Sequence, residues 1–482
     1  MSDRPNREAD NQSPDVDPTQ KTNSENKMSY TFNKNEGHGK EFIDIDADTA
    51  PYSQDAEGYD ISRRVKPQAG ELRENTNIIK SAFHIFKANV GTGVFILPNF
   101  YKDAGFIASV FLGLMIGTIV IDCTQLLLQT KLKINRNDTT TYSSISRYVF
   151  GPFLSWFLFC ALCLTQFGFC LMYSQLFSVT MDELLSFSYS GFVWPTVMLL
   201  MVFPMTCFSH NLSVLSSASV LATIGVTYAL LSCVVRSGIE IYHNHGKAHP
   251  TCNAFGKNIP VGWFNNLANN MMVLEGIGIV LPVHAACNQK RLVPNMTIVV
   301  LGLVIAAYLL IGIMGYSAFG STLETSLVTG MKHDLWGFSI RVFFIINIVF
   351  TYPVQFMSAM QLIDQVIKST PGSKMGLGLR LGINLIIWVI SFSIGGKAVN
   401  MVLSLIGAIP STWIVLIIPS VMRSHVDYAV EHPDEDRSSL KYWKVAIIGV
   451  PGRRFTWLRI RCISYCILAI LIMVIGTYSI FN

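Results

Sequence analysis

The chain has 482 residues, of which 51% are hydrophobic and 14% are charged, and its mean hydropathy is +0.41. So low a charge content is unusual for a soluble protein of this length and indicates an integral membrane protein. The net charge of +5 comes from scattered rather than clustered residues, which argues against a nucleic-acid-binding protein.

The first 74 residues form a polar N-terminal tail with 16 acidic and 10 basic residues and many Asn, Ser and Pro. The tail has too few apolar residues to build a core, so we predict that 1–74 is disordered and that 75–482 forms one membrane domain. Because the tail is polar throughout, we expect no cleavable signal peptide.

After the tail, eleven apolar stretches are long enough to cross about 30 Å of hydrocarbon. A chain in lipid must satisfy its own backbone groups, so these stretches predict an all-α integral membrane fold with eleven transmembrane helices. Their expected bounds are 78–100, 105–130, 153–179, 190–209, 212–235, 262–285, 294–318, 336–366, 376–394, 398–421 and 459–480.

The distribution of basic residues predicts the orientation of these spans. Lys and Arg are more frequent in the loops on the side of the tail than in the opposite loops. Cytoplasmic loops usually carry such an excess, so we predict a cytoplasmic N-terminus and an external C-terminus. The glycosylation sequons at Asn137, Asn211 and Asn295 then lie on the cytoplasmic side, where they remain unmodified.

Two spans are interrupted by nearly the same short sequence: residues 91–98 read GTGVFILP and residues 276–282 read GIGIVLP. Glycine and proline both weaken a helix, and a break within the bilayer persists only where it faces protein or a watery cavity. The two breaks lie in the first and sixth spans and therefore run in opposite directions. They predict an inverted repeat of five plus five helices, with the last span outside the repeat. The alternative is an ordinary kink in each span, which does not explain the matched positions.

Two facing breaks predict a binding site for an amino acid. Half-helix N-termini suit a carboxylate, and unwound carbonyls suit an ammonium group or a cation. We expect a small or medium neutral amino acid as the ligand. The predicted substrate-binding residues are Asn89, Gly91, Thr92, Gly93, Glu275, Gly276, Ile277, Gly278 and Tyr352. Tyr352 is included because Thr351, Tyr352 and Pro353 suggest a local interruption in the eighth span; plain packing is the alternative.

Coupling to a proton requires a group that changes its charge, and two residues are candidates. His84 lies two turns before Gly91, and ionisable groups are costly enough in a membrane to suggest a role. A hydrogen bond to a neighbouring helix explains His84 equally well. Glu275 directly precedes the second break and can accept the ligand ammonium, pair with a basic group or take up a proton. Asp122 is a weaker candidate of the same kind.

The stretches FHIFKANVGTG at 83–93 and EGIGIVLP at 275–282 together resemble the proton-coupled amino acid transporters of the amino acid/auxin permease superfamily. The resemblance covers about residues 75–480. It implies a LeuT-like architecture with broken helices 1 and 6, proton coupling through His84, and alanine, glycine and proline as substrates. It also implies the plasma membrane or a lysosomal or endosomal membrane. Ala88 stands where the family often has glycine, and we find no cysteine pair for the external disulfide of some members.

We therefore predict a secondary active transporter that carries small neutral amino acids with protons into the cytosol. The alternatives are a sodium-coupled transporter on the same fold and a transport-poor amino-acid receptor that signals to growth control. The sequence shows no nucleophile–base pair or phosphate loop, so we predict no enzyme and no cofactor. The cluster of His243, His245 and His249 lacks further metal ligands, so we predict no metal site.

The predicted topology is tested by glycosylation of the protein made in animal cells. We expect the natural chain to show no shift on a gel after endoglycosidase treatment, because these three sequons and the tail face the cytosol. As a control, Gly246→Ser creates a sequon at Asn244 in a predicted external loop, and this variant should carry one glycan. A glycan on Asn137, Asn211 or Asn295 would show that the orientation is wrong.

Overall fold

The computed structural model describes residues 76–136, 139–185, 191–208, 212–256, 259–323, 325–369, 372–394, 399–432, 444–447 and 457–481. The predicted tail lies outside these ranges, as do Asn137 and Asn211. The regular structure that is described is helical apart from one isolated bridge between Thr76 and Cys287. In that bridge, the N–H of Thr76 donates to the carbonyl of Ala286 at 3.0 Å, which joins the start of the first span to the end of the sixth.

Within the described ranges, thirteen α-helices precede a four-residue helical segment at 444–447 and a C-terminal helix. They are α1 (Ile78–Asn89), α2 (Leu97–Ala104), α3 (Phe106–Ile134), α4 (Tyr142–Leu185), α5 (Val193–Phe208), α6 (Leu212–His243), α7 (Val261–Val273), α8 (Val280–Ala286), α9 (Val293–Phe319), α10 (Leu335–Ile367), α11 (Lys374–Ile394), α12 (Val399–Ile406) and α13 (Ile418–Glu431). Two π turns, Gly407–Ser411 and Trp413–Ile417, connect α12 to α13. The C-terminal helix runs from Trp457–Leu471 through a π turn into Thr477–Phe481.

The all-α membrane fold predicted from the sequence is confirmed. Within the described ranges, nine helical segments are long and apolar enough to cross a membrane. A further apolar helix, Val193–Cys207, is shorter, and the predicted first span consists of the short helices α1 and α2. The count of eleven spans therefore stays a prediction.

Two helices differ from the sequence-based expectation. α4 begins at Tyr142, earlier than the expected 153, because a kink at Gly151 with φ of 72° joins a preceding helical segment to the span. α10 continues through Pro353, so the predicted interruption at Thr351–Pro353 is wrong. A proline removes only one backbone donor, and no glycine beside Pro353 weakens the helix further. The packing of α10 against α4 and α6 therefore keeps the helix intact.

Buried asparagines attach α7 to its neighbours. The side-chain amide of Asn266 donates to the carbonyl of Phe100 at 3.0 Å and to the hydroxyl of Ser109 at 3.1 Å. The side-chain carbonyl of Asn269 accepts a hydrogen bond of 2.7 Å from Ser404 on α12. Hydrogen bonds of this kind hold helices together in lipid, where apolar contact alone gives little preference between partners. They fix α7 against α2, α3 and α12.

A buried ion pair joins α10 to α11. Arg380 lies 2.5 Å from Asp364, and the two side chains are only 1% and 10% exposed. Arg380 also donates to the carbonyl of Gly376 at 3.0 Å, and Asp364 accepts from Ser369. Both charges are thus hydrogen-bonded as well as paired, which is the condition under which buried ions are tolerated.

A second charged contact caps α10 at its N-terminus, in the loop that precedes it. Asp334 accepts hydrogen bonds from the backbone N–H of Gly337 at 2.7 Å and from Arg236 at 2.6 Å. The Arg236 guanidinium, which donates the stronger of these, and the Gly337 N–H lower the pKa of Asp334. A lowered pKa means that the contact contributes at neutral pH and is lost only as the pH falls through the lowered value. Acidification to about pH 5.5 therefore leaves this contact intact.

The buried pair is expected to contribute more to stability than an exposed one. Asp364→Ala leaves the Arg380 guanidinium buried without its counter-ion, which costs about 3–5 kcal/mol. Thermal unfolding in detergent, followed by tryptophan fluorescence, should show a midpoint several degrees lower. In the control Glu240→Ala, the lost partner is the exposed Lys332, and the cost is about 1 kcal/mol or less. Equal midpoints for the two variants would contradict the assignment.

Candidate functional site

The first predicted break is present in the structure. α1 ends at Asn89, and Val90 and Gly91 are extended, with ψ values of 93° and −169°. A 3₁₀ turn, Thr92–Ile96, then leads into α2. The two halves of this span are separate helices, so the carbonyls at the end of α1 and the N–H groups at the start of the turn lie outside regular helix.

The second predicted break has the same construction. α7 ends at Val273, and Leu274 and Glu275 leave the helical region with ψ values of 20° and 18°. A 3₁₀ turn, Gly276–Ile279, leads into α8. The prediction of two interrupted helices is therefore confirmed at both positions.

The two breaks contact each other. A Cβ atom placed on Gly276 would lie 2.3 Å from both the nitrogen and the oxygen of the Asn89 side-chain amide. A Cβ atom on Gly93 would lie 3.2 Å from Cε of Met272, one residue before the end of α7. Two unrelated kinks would not meet in this way, so the structure favours a joint site over the alternative of independent kinks.

The glycines of the two motifs divide into packed and open positions. Gly93 and Gly276 are packed as described above, whereas a Cβ atom on Gly91 or Gly278 would meet no atom within 4 Å. Open space therefore borders the backbone at one glycine of each break. A ligand can approach main-chain groups there without displacing a side chain.

The residues between the glycines are buried. Thr92 is 1% exposed and Ile277 is 2% exposed, and Thr92 lies beside Tyr173 of α4. Their side chains belong to the packed wall of the site, while the open space lies at Gly91 and Gly278. The structure thus places both predicted residues at the breaks but directs their bulk into the protein.

Glu275 lies directly at the second break and is surrounded by hydroxyl groups. Its carboxylate accepts a hydrogen bond from Ser411, in the π turn after α12, and Thr165 of α4 also lies close to it. Across the described ranges, no Lys, Arg or His lies within 4.0 Å of this carboxylate. The alternative of a structural ion pair at Glu275 thus finds no basic partner in this part of the chain.

His84 lies two turns below the first break, on the half-helix α1. It is half-buried, with Lys87 as a charged neighbour one turn further along. Among the residues that the structure describes, His84 forms no hydrogen bond or ion pair. The alternative of a histidine bonded to a neighbouring helix is therefore not seen for the described residues, and the structure does not bring His84 into contact with Glu275.

Two other predicted residues have structural partners. The Tyr352 hydroxyl donates to Asn384 of α11 at 3.0 Å, and its ring stacks on Phe356. These partners agree with the packing alternative for Tyr352. Asp122 accepts from Tyr465 at 2.7 Å and lies 3.2 Å from Arg461. Asp122 thus attaches α3 to the C-terminal helix.

A family model described as transmembrane amino acid transporter protein matches residues 74–427, which include both breaks. The chain belongs to this family. That membership agrees with the prediction of a transport protein rather than an enzyme.

Two proteins named as amino acid transporters are distant relatives of the chain. Vacuolar amino acid transporter 3 of Saccharomyces cerevisiae is 24% identical over 311 residues, which cover 62% of this chain and 43% of that protein. Amino acid transporter AVT3A of Arabidopsis thaliana is 25% identical over 352 residues, which cover 71% of this chain and 80% of that protein. The matched region thus spans less than half the length of the yeast relative.

A solved structure shares the fold of this family member. An inward-facing conformation of Mhp1 superposes with a TM-score of 0.54 over 84% of this chain and 89% of that one, at 12% identity. So low an identity shows the fold alone. The likeness confirms the LeuT-like fold class, with its broken first and sixth helices.

Three residues contact the breaks in the structure but were not predicted from the sequence. They are Thr165, Tyr308 and Ser411. Each carries a hydroxyl group in a largely apolar span, and hydroxyl residues are common in membrane helices. Their hydrogen-bond partners at the breaks are 35 to 219 residues away along the chain, so no local pattern marks them.

The division of glycines into packed and open positions is tested by a matched pair of alanine variants. In Gly276→Ala, Asn89 can move aside only by losing its 2.8 Å hydrogen bond to the carbonyl of Ile85. Overpacking of this kind costs about 1–3 kcal/mol, so the unfolding midpoint in detergent should fall.

Gly278→Ala meets no atom within 4 Å and should unfold at the natural midpoint. Because its methyl group enters the open space, the KM for a transported amino acid should rise about tenfold. A lower midpoint for Gly278→Ala than for Gly276→Ala would show that the two positions are wrongly assigned.

Proposed function

We propose that the protein is a secondary active transporter that carries small neutral amino acids together with protons into the cytosol. The observation that carries the proposal is the contact between two broken helices, with open space beside Gly91 and Gly278. The family and the names of the yeast and Arabidopsis relatives, both amino acid transporters, support amino acids as the substrate class.

Main-chain groups of the two breaks are suited to both ends of an amino acid. The N–H groups that open the turn at Thr92–Ile96 and the turn at Gly276–Ile279 carry partial positive charge and suit the carboxylate. The carbonyls of the extended residues Val90 and Gly91 suit the ammonium group. A zwitterion thus binds without a charged side chain.

The packed walls favour a small ligand. Thr92 and Ile277 are buried at the two breaks, and Val94 is also fully buried. Space for the ligand side chain is therefore limited by residues that cannot move without disturbing the core. Alanine, glycine and proline are the substrates that we expect.

Glu275 and His84 are proposed to carry the proton. Glu275 lies at the break, between hydroxyl groups that hydrogen-bond either protonation state of the carboxyl group. An ionised carboxylate at this depth resists closure of the site around it, and a proton removes that charge. His84, two turns nearer the predicted cytoplasmic end of α1, is placed to accept the proton on its way to the cytosol.

The proposed membrane is one with an acidic outer or lumenal side. The similar yeast protein is named as a vacuolar transporter, which supports a lysosomal or endosomal membrane; the plasma membrane is the alternative. With the proposed cytoplasmic N-terminus, a proton gradient directed into the cytosol drives uptake. The tail at 1–74 is proposed to lie on the cytoplasmic side, ahead of a transporter domain at 75–482.

Uptake into proteoliposomes tests the proposal. Purified protein is reconstituted with an interior at about pH 7.5, and labelled alanine, glycine and proline are added in choline chloride. Uptake should be at least about threefold higher at external pH 5.5 than at pH 7.5, because two pH units give a hundredfold proton gradient. Uptake that follows a sodium gradient and ignores pH would favour the sodium-coupled alternative. Absence of uptake in every gradient would contradict transport.

Two variants locate the proton carrier. Glu275→Gln keeps the side-chain volume and the acceptor for Ser411 but cannot ionise, so the ratio of uptake at pH 5.5 to that at pH 7.5 should fall to about one. His84→Ala should lower the ratio in the same way if the proton passes through it.

In both variants, exchange of labelled for unlabelled alanine should persist, because exchange needs no net proton movement. Asp122→Asn is the control, since Asp122 contacts the C-terminal helix rather than the breaks, and its ratio should match that of the natural protein. A natural ratio in both Glu275→Gln and His84→Ala would exclude them as carriers.

A further inference from the structure

Tyr308 lies on α9, and its buried hydroxyl reaches both helix breaks. The hydroxyl donates a hydrogen bond to the backbone carbonyl of Asn89, the last residue of α1. The carbonyl of Val273, the last residue of α7, lies 3.4 Å from the same hydroxyl oxygen. One side chain on a third helix therefore contacts the terminal carbonyls of both half-helices.

These two carbonyls require a positive partner. Each lies at the C-terminal end of a half-helix, where the helix dipole concentrates negative charge and the last carbonyls have no donor within the helix. In transporters built from broken helices, such ends coordinate the coupling cation. A hydroxyl hydrogen supplies a smaller positive charge at the same place, and it is covalently tied to the protein.

We propose that the Tyr308 hydroxyl takes the place of a coupling cation between α1 and α7 and holds the two breaks together without a metal ion. This inference rests on the proposed function, because the role of Tyr308 explains why the same site works with protons rather than with sodium. Tyr308 is thus a positioning residue: it contacts the backbone that binds the substrate and not the substrate itself.

The surroundings of the hydroxyl are consistent with this role. The side chain of Asn89 is 4% exposed, is tied to Ile85 and lies against Gly276, so the carbonyl that Tyr308 contacts is held in place. Tyr308 also lines, with Ser109 and Asn270, a cavity of about 10 Å³. Such a cavity has room for about one water-sized species. Removal of the hydroxyl would extend this space to the two carbonyls.

The experiment compares the natural protein with Tyr308→Phe and Tyr316→Phe. Tyr316 lies on the same helix and is equally buried, but its hydroxyl accepts from the N–H of Asn253 at 3.3 Å, away from the breaks. The two variants lose the same single oxygen from the same helix. They differ in whether that oxygen contacts the half-helix ends.

Thermal unfolding in detergent provides the first measurement, in choline chloride and in sodium or lithium chloride at the same concentration. In Tyr308→Phe, the two carbonyls are free to bind Na⁺ or Li⁺, so the midpoint should rise by about 2 °C or more when choline is replaced. The natural protein and Tyr316→Phe should change by less than about 1 °C.

Alanine uptake by proteoliposomes provides the second measurement. In choline chloride, Tyr308→Phe should take up alanine at least about tenfold more slowly than the natural protein, and added sodium should restore part of the rate. Tyr316→Phe should stay within about twofold of the natural rate. A merely structural role for Tyr308 would lower the rate without any response to sodium.

The inference is overturned if Tyr308→Phe transports normally in choline, or if it loses transport and responds to sodium in neither measurement. It is also overturned if sodium raises the midpoint of the natural protein, a result that does not depend on the folding of any variant. Failure of the proposed function looks different: the natural protein then takes up no amino acid in any gradient. In that case the unfolding midpoints still test the role of Tyr308.

Discussion

The contact between the two helix breaks is the constraint on which the rest of this structure depends. Backbone groups released from a helix within lipid must find partners in the protein, and a single break has too few. Here each break supplies part of the surroundings of the other: the Asn89 amide lies against Gly276, and Tyr308 contacts the carbonyls at both half-helix ends. Neither interruption is explained without its counterpart.

Polar contacts elsewhere keep these breaks in register. The asparagines of α7 form hydrogen bonds with α2, α3 and α12. These bonds hold together α2 and α7, which are one half of each broken span. The Arg380–Asp364 pair joins α10 to α11, away from the breaks. Because apolar helices slide easily against one another in lipid, such directional contacts decide which surfaces stay together and which are free to move.

The sequence predicted those features that depend on local backbone chemistry. The two Gly-x-Gly motifs with a following proline located both breaks to within three residues, because glycine and proline both weaken a membrane helix. The interruption at Pro353 was wrong, since tertiary packing preserved that helix. Tyr352 has a partner in Asn384, and Asp122 has one in Arg461. Such partners lie far away along the chain, so no local pattern reveals them or the contacts of Tyr308.

Open space beside Gly91 and Gly278 leaves main-chain atoms accessible at both breaks, so a ligand bound where we propose it would face atoms that are the same in every residue. Mutation can replace side chains around such a binding site without removing its affinity for the carboxylate and ammonium groups that amino acids share. Diversification within a lineage then acts on the surrounding wall, for example at Ile277 or Thr92, and changes the preferred substrate in small steps. General recognition and particular selectivity are thus encoded by different atoms, and they can evolve separately.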